Sequence, residues 1–155
     1  KLALLARASG SRGMAGGQAI DFAAVGQQLT VEELEHMHIH KTGALIRAAV
    51  LLGASCGKLP PAEREALDRF GKCTGLLFQI VDDILDAEAD TATLGKTAGK
   101  DATQNKPTYV SILGVTRARE MANELRAQAL AALNPVGSRA HRLAELSHYI
   151  VARQF

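Results

Sequence analysis

The sequence predicts an all-α protein with about six helices. Helix-forming residues such as Ala, Leu, Glu, Gln and Arg are abundant, and apolar residues recur at spacings of three and four along nearly every segment. No segment has the alternating apolar pattern of a β-strand. At 155 residues and 47% hydrophobic content, the chain can form one core but not two ordinary ones. We therefore expect a single all-helical domain over residues 1–155.

Local signals place the first helices. The chain starts at Lys1 with a helical segment that lacks an N-cap, and we expect it to be the C-terminal part of a longer protein. A second helix is predicted over residues 14–29. Thr30 and Glu33 form a capping box, which begins a helix over residues 31–56.

The second half contains the longest helix and the longest loop. The remaining predicted helices cover residues 62–87 and 108–133, and a last helix runs from 138 or 139 to 153. Pro61 suits the first turn of the long helix, and Gly114 predicts a bend in the next one. Residues 90–106 interrupt the helical pattern and form a polar loop longer than most compact connections. Helices of this length are typical of bundles.

Bulk composition excludes several classes of protein. The net charge is +2, from 18 basic and 16 acidic residues, so nothing indicates a nucleic-acid partner or an anionic membrane surface. No apolar run approaches the ~20 residues of a membrane span. Cys56 and Cys73 stand alone in different segments, which favours reduced thiols and a cytoplasmic location.

A stripe of acidic side chains crosses the long predicted helix. Gln79, Asp82, Asp83 and Asp86 are related by helical spacings of three and four within an otherwise apolar stretch. Two carboxylates about 6 Å apart repel each other by roughly 3 kcal/mol at an effective dielectric constant of about 20. This repulsion requires a compensating cation. A hard divalent ion such as Mg²⁺, accompanied by phosphate oxygens, meets that requirement.

Two basic features accompany the stripe. The polar loop carries Lys96, Lys100 and Lys106, whose ammonium groups can fold over a phosphate that a metal already holds. Within the helix predicted over residues 31–56, Lys41 and Thr42 precede a glycine, which suggests a local break in the backbone hydrogen bonds. We expect that break to expose polar groups toward a ligand.

Two further motifs have structural interpretations. His36 and His40 have the spacing of helical zinc ligands, but no third ligand accompanies them and His38 faces away, so we expect no zinc site. Paired glycines precede Gln18 and Asp21 and predict close helix packing. Gln18 and Asp21 share a helix face, where they can hydrogen-bond to each other and to the Lys41 helix.

These motifs, taken in series, resemble the C-terminal part of the trans-isoprenyl diphosphate synthases, and the short bacterial farnesyl diphosphate synthases in particular. The similarity extends from about Gly13 to the last helix. Four segments carry it: Gly-Met-Ala-Gly-Gly-Gln-Ala-Ile-Asp at 13–21, His-Lys-Thr-Gly at 40–43, Phe-Gln-Ile-Val-Asp-Asp-Ile-Leu-Asp at 78–86, and the loop pairs Gly95-Lys96 and Asn105-Lys106.

The resemblance implies a fold and a set of roles. The fold is the all-α isoprenoid synthase bundle, and the reaction is the Mg²⁺-dependent condensation of isopentenyl diphosphate with an allylic diphosphate, with Mn²⁺ as a substitute metal. The resemblance assigns the metal to Asp82, Asp83 and Asp86. It implies that Lys41, Lys96 and Lys106 bind the diphosphate and that Thr42 and Gln79 lie near the hydrocarbon where the carbocation forms. The expected catalytic residues are Lys41, Thr42 and Gln79.

One element of the family pattern is missing. The first aspartate-rich motif, which lies before the Gly-Gly-Gln helix in the family, does not occur in these residues. We therefore expect the 155-residue chain to be inactive alone. A terpene cyclase and a non-catalytic subunit of a heteromeric prenyl synthase remain the alternatives.

The resemblance also implies the partners. The allylic substrate is dimethylallyl or geranyl diphosphate, farnesyl diphosphate is the expected product, and the protein is expected to form a homodimer. Product length is set mainly by residues outside this chain, so farnesyl rests on the overall similarity.

Overall fold

The computed structural model describes residues 1–92 and 106–153, except for the side chains of 90–92. These residues form helices joined by short turns, and none of them lies in a β-strand. The all-α prediction is confirmed. No helix in these ranges is both long enough and apolar enough to cross a membrane.

Two short helices open the chain. Helix α1 spans Leu2–Ser9 and helix α2 spans Met14–Ala23. The prediction that the second helix reaches residue 29 is wrong, because a turn follows Ala23 and Gly26 adopts a positive φ of 75°. The turn leads directly to the next helix.

A continuous helical stretch follows, with an irregular centre. It consists of α3 (Val31–His38), a π-helical segment (Ile39–Gly43) and α4 (Ala44–Ala54). The predicted capping box is present: the Thr30 hydroxyl accepts from the Glu33 backbone N–H at 3.2 Å, and the Glu33 carboxylate accepts from the Thr30 N–H at 2.8 Å. The π segment contains the predicted break at Lys41 and Thr42.

Helix α5 is the centre of the structure. It spans Pro61–Ala92, which is 32 residues, or about 48 Å at 1.5 Å per residue. It packs along α4 and along a later helix, Val115–Ala132. Since α5 carries the aspartate stripe, this packing determines which chain segments face the stripe.

The last helices run back along α5. Helix α6 spans Tyr109–Leu113 and α7 spans Val115–Ala132, with Gly114 at the predicted bend. A 3₁₀ turn then leads into α8, His141–Ala152. Helix α8 packs against both α5 and α7, so its C-terminal end lies near the middle of the long helix.

Two clusters of buried apolar side chains hold the helices together. The larger cluster lies beneath the aspartate stripe and includes Leu77, Ile80 and Tyr109, each 0% exposed. The smaller cluster is centred on Phe70 and joins the first half of α5 to the end of α7. The stripe therefore lies on a part of α5 whose apolar face is buried in the larger cluster.

Candidate active site

A cation from this chain partly neutralises the aspartate stripe. Arg153, directly after α8, donates a hydrogen bond from its guanidinium to Asp82 at 2.8 Å. The same guanidinium lies 4.2 Å from the centroid of the Phe78 ring and donates to the Phe78 carbonyl oxygen at 3.4 Å. The Arg153 side chain is 13% exposed and that of Asp82 is 47% exposed. Sequence reasoning missed Arg153, because no local pattern links it to α5.

A chain of hydrogen bonds joins the π segment to the stripe. The Thr42 hydroxyl donates to Gln79 Oε1 at 3.2 Å, and Gln79 Nε2 donates to Asp83 Oδ1 at 3.0 Å. Asp83 Oδ2 accepts from the backbone N–H of Tyr109 at 2.8 Å. Asp83 is buried, so these donors offset the cost of removing its charge from water. These hydrogen bonds also direct the Gln79 carbonyl oxygen toward Thr42.

The stripe offers oxygen ligands of the type that Mg²⁺ prefers. Asp82 is half-exposed, and Asp86, one turn further along α5, is exposed. Among the described residues, no group of three His, Cys, Asp or Glu side chains is arranged to hold a metal ion. The accessible carboxylates of Asp82 and Asp86 can supply part of a magnesium shell, whose other ligands would be water or phosphate oxygens.

The buried carboxylate of Asp21 contacts both of the described lysines that are predicted to bind the diphosphate. Asp21 Oδ2 accepts from Lys41 Nζ at 2.8 Å and from Lys106 Nζ at 3.4 Å, and Gln18 Nε2 lies 3.5 Å from the same oxygen. The two ammonium nitrogens are therefore no more than about 6 Å apart and repel each other by roughly 3 kcal/mol at a dielectric constant of about 20. Burial raises the pKa of Asp21, but hydrogen bonds and charges from Lys41 and Lys106 outweigh burial and hold the pKa below its usual value.

The paired glycines permit this arrangement. A Cβ atom on Gly17 would lie 2.1 Å from the Lys41 backbone nitrogen, so only glycine lets α2 approach the π segment this closely. Asp21 lies one turn after Gly17 and therefore faces the Lys41 side chain. The predicted close packing and the predicted contacts of Gln18 and Asp21 are both present.

The predicted loop lysines differ in whether the structure describes them. Lys96 and Lys100 lie outside the described residues. Lys106 is the first residue described after the gap, and its side chain is 20% exposed. Hydrogen bonds thus join Thr42 and Gln79 to Asp83. Asp21 separately brings Lys41 and Lys106 together.

The three histidines have different environments. The His36 and His40 rings lie 4.4 Å apart on the outside of α3 and the π segment. His38 is buried and stacks on Tyr109 at 5.6 Å, and neither ring nitrogen has a hydrogen-bond partner. Burial, together with the charge of Lys41, lowers the pKa of His38 to about 4. His38 is therefore neutral at physiological pH.

A groove of about 470 Å³ runs beside the π segment and α5. Its lining is mixed and comes mainly from the π segment and helices α4, α5 and α7. Six lining residues are apolar or glycine: Ile39, Gly43, Ala44, Cys73, Leu76 and Leu125. Six others are charged or polar: Arg12, Glu35, His40, Arg47, Lys72 and Gln128. Gly43 follows Thr42 directly, so the groove begins next to the hydrogen-bonded chain.

A family model described as polyprenyl synthetase matches residues 2–143. The chain belongs to this family. Its relatives include proteins named for different products. The farnesyl diphosphate synthase of Escherichia coli is 45% identical over 153 residues, covering 96% of this chain and 51% of that protein. A chloroplastic geranylgeranyl pyrophosphate synthase of Capsicum annuum is 44% identical over 154 residues, covering 98% of this chain and 42% of that protein.

A solved geranyltransferase structure has the same fold. The geranyltransferase of Helicobacter pylori, complexed with magnesium and isoprenyl diphosphate, aligns with a TM-score of 0.77 and 32% identity. The alignment covers 97% of this chain and 49% of that protein. The chain thus spans about half the length of the relatives that it matches, and the isoprenoid synthase fold predicted from sequence is confirmed.

Proposed function

We propose that the whole protein is a prenyltransferase that condenses isopentenyl diphosphate with dimethylallyl or geranyl diphosphate, with farnesyl diphosphate as product. The observation that carries this proposal is the hydrogen bond from Thr42 to Gln79, at 3.2 Å. It joins the segment that carries Lys41 to the helix that carries the carboxylates. A lysine and a pair of carboxylates therefore stand on either side of one contact, an arrangement that supports transfer from a diphosphate.

The described side chains support distinct roles in this reaction. The ammonium groups of Lys41 and Lys106 bind the diphosphate and stabilise the negative charge that it gains on leaving, and Lys96 is proposed to join them. The allylic carbon–oxygen bond breaks, and the diphosphate leaves with the electron pair. The double bond of isopentenyl diphosphate attacks the allylic cation, and the product forms on loss of a proton.

The uncharged polar groups serve the hydrocarbon side of the reaction. The oxygens of Thr42 and Gln79 stabilise the allylic cation, since the hydrogen-bonded chain to Asp83 fixes their orientation. The apolar part of the groove beside them, which includes Leu76 and Leu125, suits a hydrocarbon chain. These features support a substrate that is ionic at one end and apolar at the other.

We propose Mg²⁺ as the metal, with Mn²⁺ as a substitute, held by Asp82, Asp83 and Asp86. When bound, the ion neutralises charge on the diphosphate. Asp82 is engaged by Arg153 in this structure, so that side chain must share or yield the carboxylate. We also propose a cytoplasmic homodimer, supported by two free cysteines and by exposed apolar side chains on α1 and α2.

The test is product formation by the whole natural protein from labelled isopentenyl diphosphate and dimethylallyl diphosphate, with and without Mg²⁺. Lys41→Met and Asp82→Asn are each expected to lower kcat/KM by about 100-fold or more, because each removes charge stabilisation at the departing diphosphate. Lys58→Met is the control, since Lys58 is exposed and outside the site. Cyclised product without isopentenyl incorporation would contradict the proposal.

A further inference from the structure

Asp21 is the one acidic side chain among the described residues that contacts both Lys41 and Lys106. It is 5% exposed and lies on α2, while the lysines come from the π segment and from the start of the last third of the chain. The three residues are separated by 20 and 65 positions in sequence. A single carboxylate oxygen therefore ties together three distant segments.

The burial of Asp21 argues against direct contact with a diphosphate. A carboxylate that faced an anionic ligand would repel it, whereas Asp21 is almost completely covered. Lys41 and Lys106 keep 28% and 20% of their side chains exposed. Each ammonium group has three donors, so contact with Asp21 leaves donors available to a ligand.

We propose that Asp21 is a positioning residue that holds the ammonium groups of Lys41 and Lys106 at the spacing with which they bind a diphosphate. The inference rests on the proposed diphosphate-binding role of the two lysines. Asp21 offsets their mutual repulsion before the ligand arrives, so the ligand meets a preformed pair of cations. Gly17 contributes by letting α2 approach the π segment.

A role through charge alone and a positioning role predict opposite effects of Asp21→Asn on the affinity for an anion. The substitution removes one negative charge beside the lysines, so a role of Asp21 through charge alone predicts tighter binding of an anion. Positioning predicts weaker binding, because the lysines separate and lose their preformed spacing. The sign of the change in affinity therefore decides between the two roles.

The experiment titrates inorganic pyrophosphate into the whole natural protein in the presence of Mg²⁺, by calorimetry at constant ionic strength. We expect Asp21→Asn to weaken binding by about tenfold or more. The matched control is Asp68→Asn, since Asp68 also pairs with two basic side chains, Arg47 and Lys72, away from the stripe. The control variant should bind pyrophosphate as the natural protein does.

The outcomes separate this inference from the proposed function. If the natural protein does not bind pyrophosphate, the proposed function fails. If it binds and Asp21→Asn binds equally well or more tightly, the positioning role is overturned. Additive losses from Asp21→Asn and Lys106→Met would also overturn it, because Asp21 is proposed to act through Lys106 and its effect should shrink when that lysine is absent.

Urea unfolding would show whether Asp21→Asn folds. If it does not, a second variant tests the proposal. Asp21→Glu keeps the charge and displaces the carboxylate by about one carbon–carbon bond. Positioning predicts weaker pyrophosphate binding for this variant as well. Unchanged binding by Asp21→Glu would show that charge alone matters and would overturn the proposal.

Discussion

Replacing Gly17 by alanine is expected to destabilise the protein at the contact between α2 and the π segment. The new Cβ atom would lie 2.1 Å from the Lys41 nitrogen, 2.5 Å from the Lys41 Cα and 2.7 Å from the His40 carbonyl carbon. Ordinary contacts of this kind begin at 3.4 Å. All three neighbours are backbone atoms, so no side-chain rotation relieves the overlap. The two segments must separate by about 1 Å.

The expected cost follows from two opposing effects. Overpacking of this kind costs about 3 kcal/mol when backbone must move. Alanine recovers about 1 kcal/mol through its higher helix propensity. The net loss in the free energy of unfolding is therefore about 2 kcal/mol, which urea unfolding of the whole natural protein measures.

Gly53 provides a control with the opposite sign. It lies exposed in α4, and a Cβ atom there would have no neighbour within 4 Å. Gly53→Ala should therefore raise the free energy of unfolding by about 0.5 kcal/mol through helix propensity alone. If Gly17→Ala were as stable as the natural protein or more so, the proposed close contact with Lys41 would be wrong.

Two further predictions concern a buried histidine and a partly buried ion pair. Burial holds the pKa of His38 at about 4, against about 6.5 in the unfolded chain, so protons favour the unfolded state as pH falls through this range. The free energy of unfolding should drop by about 2 kcal/mol between pH 8 and pH 5, and His38→Phe should remove that drop in urea titrations. An unchanged pH dependence would refute this. Arg153→Met should lower the free energy of unfolding by about 2 kcal/mol, because it removes the partly buried ion pair with Asp82. Arg142→Met should lower it by less than about 0.5 kcal/mol, because the Arg142 side chain is 81% exposed. Equal losses in thermal unfolding would contradict the assigned role of Arg153.

Features encoded by neighbouring residues could be predicted from the sequence. The all-α class, the capping box at Thr30 and the bend at Gly114 each depend on residues within a turn of one another. The irregular helix around Lys41 and Thr42 was predicted for the same reason, and it appears as the π segment. Glycine spacing likewise predicted the close approach of α2.

Contacts between distant segments could not be predicted. Repulsion within the stripe calls for a compensating cation, and Arg153, 71 residues after Asp82, supplies part of that compensation. The backbone N–H of Tyr109 supplies another part to Asp83. Neither partner has a local signature, because each depends on how α6 and α8 pack onto α5. Repulsion alone therefore does not establish a metal, and the case for one depends on the whole site.

A crystal structure of the whole natural protein with Mg²⁺ and inorganic pyrophosphate would test the central claim most directly. The account predicts pyrophosphate oxygens within hydrogen-bond distance of Lys41 Nζ and Lys106 Nζ, and Mg²⁺ on the Asp82 carboxylate. Pyrophosphate bound away from both lysines, with Asp82 still paired to Arg153, would contradict it.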